Sequence, residues 1–174
     1  IVVYDNEVQT LVPALALSDR VKFHEALRGV DSRGSTNLHA GWLRGAETLA
    51  PLTSAGNLSR VILLSDGCAN HGLTDVSAIA RQCAELASAG VSTSTYGLGH
   101  HFNEELMVAM ARAGGGNNYY GQTAEDLMDP FREEFALLNA TCARSTPSAE
   151  TSFRSLRNNP SARCNAPVAR PTTW

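Results

Sequence analysis

Two short segments place oxygen donors where coordination chemistry could occur. Ser35-Thr36-Asn37-Leu38 stands just before a helical pattern, and Leu63-Leu64-Ser65-Asp66-Gly67 closes an apolar run. The first offers a hydroxyl at a loop-to-helix junction, the second a carboxylate at the end of a strand. Oxygen ligands of this hard type suit Mg²⁺, which keeps several waters and takes few protein carboxylates. An Asp after a strand can equally cap the following turn, so spacing alone leaves both readings of Asp66 open.

The elements that must position these groups alternate between strand and helix. Ile1–Tyr4 and Glu7–Val12 flank the turn residues Asp5 and Asn6 and read as a hairpin. Arg20–Val30 reads as a short helix and Asn37–Leu52 as a longer one. Arg60–Ser65 is apolar on consecutive positions, so both its faces should be buried in a parallel sheet. Thr74–Ala89 reads as a helix with Thr74 as its cap and Gly90 as its stop. A strand at Val91–Tyr96, a helix at Asn103–Ala113 and a strand near an edge at Asn117–Gly121 follow. Thr123 opens the last helix with Asp126 three residues on, and Pro130 should kink that segment or divide it. The alternation implies right-handed βαβ units, with binding loops at the carboxyl ends of the strands.

Composition bounds the function. The chain has 174 residues, enough for one domain with a core. A net charge of −3 gives no reason to expect nucleic acid or an anionic membrane as partner. No run is long and apolar enough for membrane insertion. Cys68, Cys83, Cys142 and Cys164 form no C-x-x-C pair and read as free thiols, which slightly favours the cytoplasm while leaving the compartment unknown. The chain opens inside an apolar strand without Met, so its true N-terminus is expected upstream. Residues 144–174 are rich in Pro, Ser, Asn and Arg. They read as a low-complexity, disordered tail after a domain at residues 1–143.

Several longer stretches share a resemblance. G-S-T-N-L-H-A-G-W-L followed by R-V-I-L-L-S-D-G-C-A-N resembles the second and third parts of the metal-ion-dependent adhesion site (MIDAS) of von Willebrand factor type A domains. Y-G-L-G-H-H-F-N-E-E-L-M, A-G-G-G-N-N-Y-Y and A-E-D-L-M-D-P-F-R-E-E-F are similar to later parts of bacterial members. The resemblance runs from Ile1 to about Leu138. It implies a three-layer α/β/α, Rossmann-like fold with a mostly parallel sheet. It also implies that Thr36 and Asp66 are metal ligands, with Mg²⁺ (or Mn²⁺ or Ca²⁺) as cofactor and a partner's Asp or Glu carboxylate completing the shell. Ser35, Asn37, Gly67, Asn70, His71, Gly99 and His100 would form the partner-binding rim. The family's first strand ends in D-x-S-x-S, and this chain has no such motif. Asp75-Val-Ser77-Ala-Ile79 comes nearest but lacks the second serine. The expectation is therefore a fragment without the central strand, with millimolar or no Mg²⁺ affinity; micromolar binding by isothermal titration would contradict it.

Other motifs carry less. Gly97-Leu98-Gly99 lacks the third glycine and the acidic partner of a dinucleotide fingerprint. His100 and His101 read as exposed rim residues, and His39 as a helix-surface residue. Gly114-Gly115-Gly116 reads as a helix stop, and Trp42 and Phe131 as core contacts. Ser65 has neither a nucleophile elbow nor a base. The reading is a protein–protein interaction module and not an enzyme. A regulatory or assembly subunit of an ATPase or chelatase-type complex is the alternative.

Overall fold

A computed structural model describes residues 1–14, 20–31, 34–53 and 58–145. The expected tail lies almost wholly outside them. The hairpin is present: β1 (Val2–Tyr4) pairs antiparallel with β2 (Val8–Thr10). Next come α1 (Arg20–Arg28), α2 (Leu38–Leu49), β3 (Ser59–Ser65), α3 (Val76–Ser88), β4 (Val91–Leu98), α4 (Glu104–Ala113), β5 (Gly115–Gly121) and α5 (Met128–Ser145). Strands β3, β4 and β5 form a parallel sheet in that order.

Helices cover both faces of this sheet, which gives the expected three-layer α/β/α arrangement. Alternate residues of β3 explain one layer. Val61 and Leu63 face a core that holds Leu38, Trp42 and Ala46 of α2, Ile79 and Cys83 of α3, and Leu106, Met107 and Met110 of α4. Burying side chains of this size contributes roughly 1.5–3 kcal/mol each. On the opposite face α5 lays Phe131 on Tyr96, with ring centroids 4.1 Å apart. Burial pushes the Cys83 thiol up to about 12, so it stays protonated and unreactive.

Beyond β3 the sheet stops. Among the described residues β3 has no second neighbour, and the β1–β2 hairpin stands apart as its own sheet. A cavity of about 1040 Å³ separates the two. Residues of the hairpin, α2 and β3 line this slot.

Some boundaries differ from the sequence reading. The cap of α3 is Asp75, which accepts the Ala78 N–H at 2.6 Å. Thr74 is one residue too early to reach that amide. Only Gly114 of the glycine run ends a helix; Gly115 and Gly116 already belong to β5. A Cβ on Gly116 would come within 2.1 Å of the Thr93 carbonyl oxygen, so the close β4–β5 approach requires glycine there. The segment around Pro130 is divided and not kinked, with a 3-10 turn at Glu125–Leu127 before α5. Pro130 lies in the first turn of α5, where its missing N–H costs no helical bond. His39 is half-buried and bonds Gln82 of α3 through Nε2 at 2.6 Å, so it ties two helices together and is not a free surface group.

Candidate metal-binding loop face

Three loops meet at the carboxyl edge of the sheet. The first leads into α2. There Asn37 caps the helix by accepting the Ala40 N–H at 3.2 Å, and its own N–H donates to the Asp5 carbonyl at 2.8 Å. Those bonds fix Ser35 and Thr36 one and two residues earlier. The second loop begins at Asp66, directly after β3. The third, Gly99–Asn103, follows β4, and its Gly99 at φ +74° is in the left-handed region that glycine favours.

The first two loops are locked together. The Thr36 N–H donates to Asn70 Oδ1 at 2.9 Å, and the Asn70 N–H donates to the Thr36 carbonyl at 3.2 Å. Gly72, at φ +73°, presses on the Asn37 side chain: a Cβ there would sit 2.5 Å from Asn37 Oδ1. Replacing Asn70 with alanine is expected to cost about 1 kcal/mol, the usual worth of one such bond. Faster hydrogen exchange at the Thr36 amide would report the same loss locally.

This lock sets the Thr36 hydroxyl over Gly67. A Cβ on Gly67 would lie 3.3 Å from Thr36 Oγ1, a tight contact that glycine relieves. Gly67 directly follows Asp66, which is exposed, and both Thr36 and Asp66 line the mouth of the slot. The structure thus brings the two residues to one rim. Their oxygens are right in kind for a hard divalent cation but too few to complete its shell. Among the described residues no three His, Cys, Asp or Glu side chains converge as a metal cluster.

The remaining rim residues fall into two groups. Ser35, Asn37, Gly67 and Asn70 belong to the locked pair of loops. His71 is exposed on the second loop, near the others in sequence. Gly99 and His100 lie on the third loop, where the Gly99 N–H donates to the Gly121 carbonyl at 2.9 Å and His100 Nδ1 meets the Tyr120 hydroxyl at 3.3 Å. The Cys68 thiol donates to the His101 carbonyl at 2.9 Å, which links the second and third loops.

Sequence reading missed three residues here. Tyr4 reaches the rim from β1, and its hydroxyl donates to the Leu64 carbonyl at 2.8 Å. Burial pushes its phenol up to about 12; a hydrogen bond with Ser65 opposes the rise, and the Asp66 charge adds to it. Ser65 is buried and donates to the Gly67 carbonyl at 3.1 Å, which tightens the turn after Asp66. Tyr120 anchors the third loop through His100 and packs against Phe102 at 5.6 Å between centroids. No local pattern marks any of these contacts.

Comparison with known proteins places the fold. The family model for the von Willebrand factor type A domain matches residues 1–133. The chain belongs to this family. It is 28% identical over 145 residues to the uncharacterized protein YfbK of Escherichia coli, an alignment covering 83% of this chain and 25% of YfbK. The chain therefore spans about a quarter of that relative's length. Among solved structures, the conserved hypothetical protein BatB from Bacteroides thetaiotaomicron superposes with a TM-score of 0.64 at 17% identity, over 80% of this chain and 78% of BatB. Proximal thread matrix protein 1 of the mussel byssus, solved with a zinc-occupied MIDAS motif, superposes at 0.54 and 19% identity, over 81% of this chain and 34% of that protein. Within this von Willebrand factor A domain, no described helix is long and apolar enough to cross a membrane.

Proposed function

We propose that this von Willebrand factor A domain is a metal-ion-dependent protein-interaction module. A divalent cation, Mg²⁺ in the first instance, is held in part by Thr36 and Asp66 and bridges to an acidic side chain of a partner. The observation that carries this reading is the Thr36 hydroxyl seated over Gly67, the residue that follows Asp66, on a rim braced by the reciprocal Thr36–Asn70 bonds. The zinc-occupied MIDAS motif of proximal thread matrix protein 1 supports the same chemistry on a similar fold. The ion supplies a positive charge that a partner carboxylate can meet. The chain's own residues orient it, and no bond need be broken.

Mn²⁺ tests the site without a partner, because its unpaired electrons broaden nearby nuclear resonances. At low millimolar Mn²⁺, the amides of Thr36, Asn37 and Asp66–Asn70 should broaden first. Asp66→Asn should weaken that effect at least tenfold, as should Thr36→Ala to a smaller degree. Asp66 is exposed, so the substitution should change stability by less than about 0.5 kcal/mol. Broadening centred on another acidic surface, such as Asp129 and Glu133, would remove the metal reading.

A further inference from the structure

The carboxyl edge of the sheet carries aromatic rings as well as oxygen donors. Ser65, Gly97 and Tyr120 stand in register across β3, β4 and β5. Ser65 alternates with the core residues Val61 and Leu63, so all three lie on the face that α4 covers. Tyr119, one residue before Tyr120, turns to the other face and donates to Glu134. On the α4 face Phe102 lies over Gly97, where a Cβ would come within 2.4 Å of its ring. Phe102 and Tyr120 stand 5.6 Å apart between centroids, tilted by 33°. The Tyr120 hydroxyl meets His100 Nδ1 at 3.3 Å, and the Gly99 N–H donates to the Gly121 carbonyl at 2.9 Å. These contacts fix the ring pair before any partner arrives. Tyr120 nevertheless stays 47% exposed.

Charge narrows what such a surface can take. Glu104 and Glu105 open α4 two and three residues past Phe102, and both are exposed. Residues 97–111 contain no Lys or Arg. An aromatic face attracts a cation through its quadrupole, and carboxylates beside it add to the attraction. An arginine guanidinium suits both parts, because its plane stacks on a ring while its N–H groups reach carboxylate oxygens. The sheet also sets a distance. Tyr120 lies two strands from Ser65, the residue before Asp66, and two interstrand spacings come to about 10 Å. An extended segment covers that span in about three residues.

We propose that Phe102 and Tyr120, with Glu104 and Glu105, form a second subsite of the rim, which takes an arginine side chain of the partner about three residues from its acidic one. The place of the acidic residue rests on the metal-dependent module proposed above. The arginine subsite itself needs no divalent cation. The partner is thus a polypeptide that carries both signs of charge in one short extended segment.

The probes are the capped peptides Asp-Ala-Ala-Arg and Arg-Ala-Ala-Asp, titrated into the chain and followed by amide chemical shifts. The controls carry Gln in place of Arg. Without divalent cations, the arginine peptides should shift Phe102, Glu104, Glu105 and Tyr120 and bind roughly three- to tenfold tighter than the controls. Tyr120→Leu, checked for its fold by circular dichroism, keeps an apolar side chain without a ring face and should erase that preference. Equal binding of the Arg and Gln peptides would overturn the proposal. So would a preference that survives Tyr120→Leu, or shifts centred on Asp129 and Glu133, which would mark general attraction to acidic surface. Mg²⁺ should strengthen the arginine peptides further in at least one of the two orders. The same Mg²⁺ gain with Asp and Arg adjacent would overturn the spacing. An arginine preference with no Mg²⁺ gain would sink the metal reading and support the subsite. Mn²⁺ broadening at Asp66 with no arginine preference would sink the subsite alone.

Discussion

Glu134→Ala should destabilise the domain by about 3–5 kcal/mol, the usual cost of leaving a buried ionic partner alone. Glu134 lies on α5, is fully buried and carries a carboxylate. Its Oε1 accepts from the Arg60 guanidinium and from the Ser94 hydroxyl, the latter at 2.6 Å. Its Oε2 accepts from Asn117 Nδ2 at 2.7 Å and the Tyr119 hydroxyl at 3.2 Å. Four donors from β3, β4 and β5 thus converge on one side chain and pin α5 to all three strands. Removing the carboxylate strands all four, with the Arg60 charge as the largest penalty. Glu134→Gln keeps the shape but loses the charge, and should cost about 1–3 kcal/mol. Urea unfolding gives both values, and a loss below about 1 kcal/mol for the alanine variant would contradict the account. Replacing Arg60 and Glu134 together with Met and Leu should recover much of the stability, since no charge is then left unpaired.

The same carboxylate gives the protein an acid limit. Burial pushes its pKa up, but the bonds from Ser94, Asn117 and Arg60, with the Arg60 charge, outweigh burial and hold it below the usual range. Its folded pKa is depressed, so its stabilisation is complete above the unfolded carboxylate value of about 4.3 and is lost as pH falls through the folded value. The wild type should lose stability more steeply than Glu134→Gln over that acid range. Parallel pH profiles of the two proteins would count against Glu134 as the titrating group.

Trp42→Ala should cost a similar amount, about 3–5 kcal/mol, for a different reason. The indole is 1% exposed at the centre of the core between α2 and the sheet. Its ring provides contact area, and its Nε1–H donates to the buried Thr93 Oγ1 at 3.0 Å. Alanine leaves a cavity and an unpaired hydroxyl. Thr93→Val separates the two terms: it keeps the volume, strands the indole N–H and should cost about 1–3 kcal/mol. A Trp42→Ala protein that melts within about 1 kcal/mol of wild type would show the core is not organised as described.

The α/β/α order was legible because each element writes its own local pattern. The consecutive apolar run Val61–Leu64 marks a strand, and β3 is that strand, but only Val61 and Leu63 are buried, whereas Ile62 is half-buried and Leu64 exposed on the other face. Helix and strand order followed from periodicity and from Gly and Asp punctuation. Thr36 and Asp66 were legible as residue types at strand–helix junctions, and the von Willebrand factor A family match covers both positions. The cap of α3 was placed one residue too early, because Thr74 and Asp75 are both capping residues and only the start of the helix selects Asp75.

Tertiary structure decided the contacts between residues far apart in the chain. Glu134 reads in sequence as one more surface charge in Arg-Glu-Glu-Phe, yet it is fully buried because Arg60, 74 residues earlier, comes to the same spot. Tyr4 reads as the end of a strand and reaches the Leu64 carbonyl 60 residues on. Asn70 reads as a loop residue and braces Thr36 across 34. Periodicity reports which face of an element is apolar, and it says nothing about which distant polar group will meet another. That choice is made when the layers pack, since each buried donor and acceptor must then find a partner.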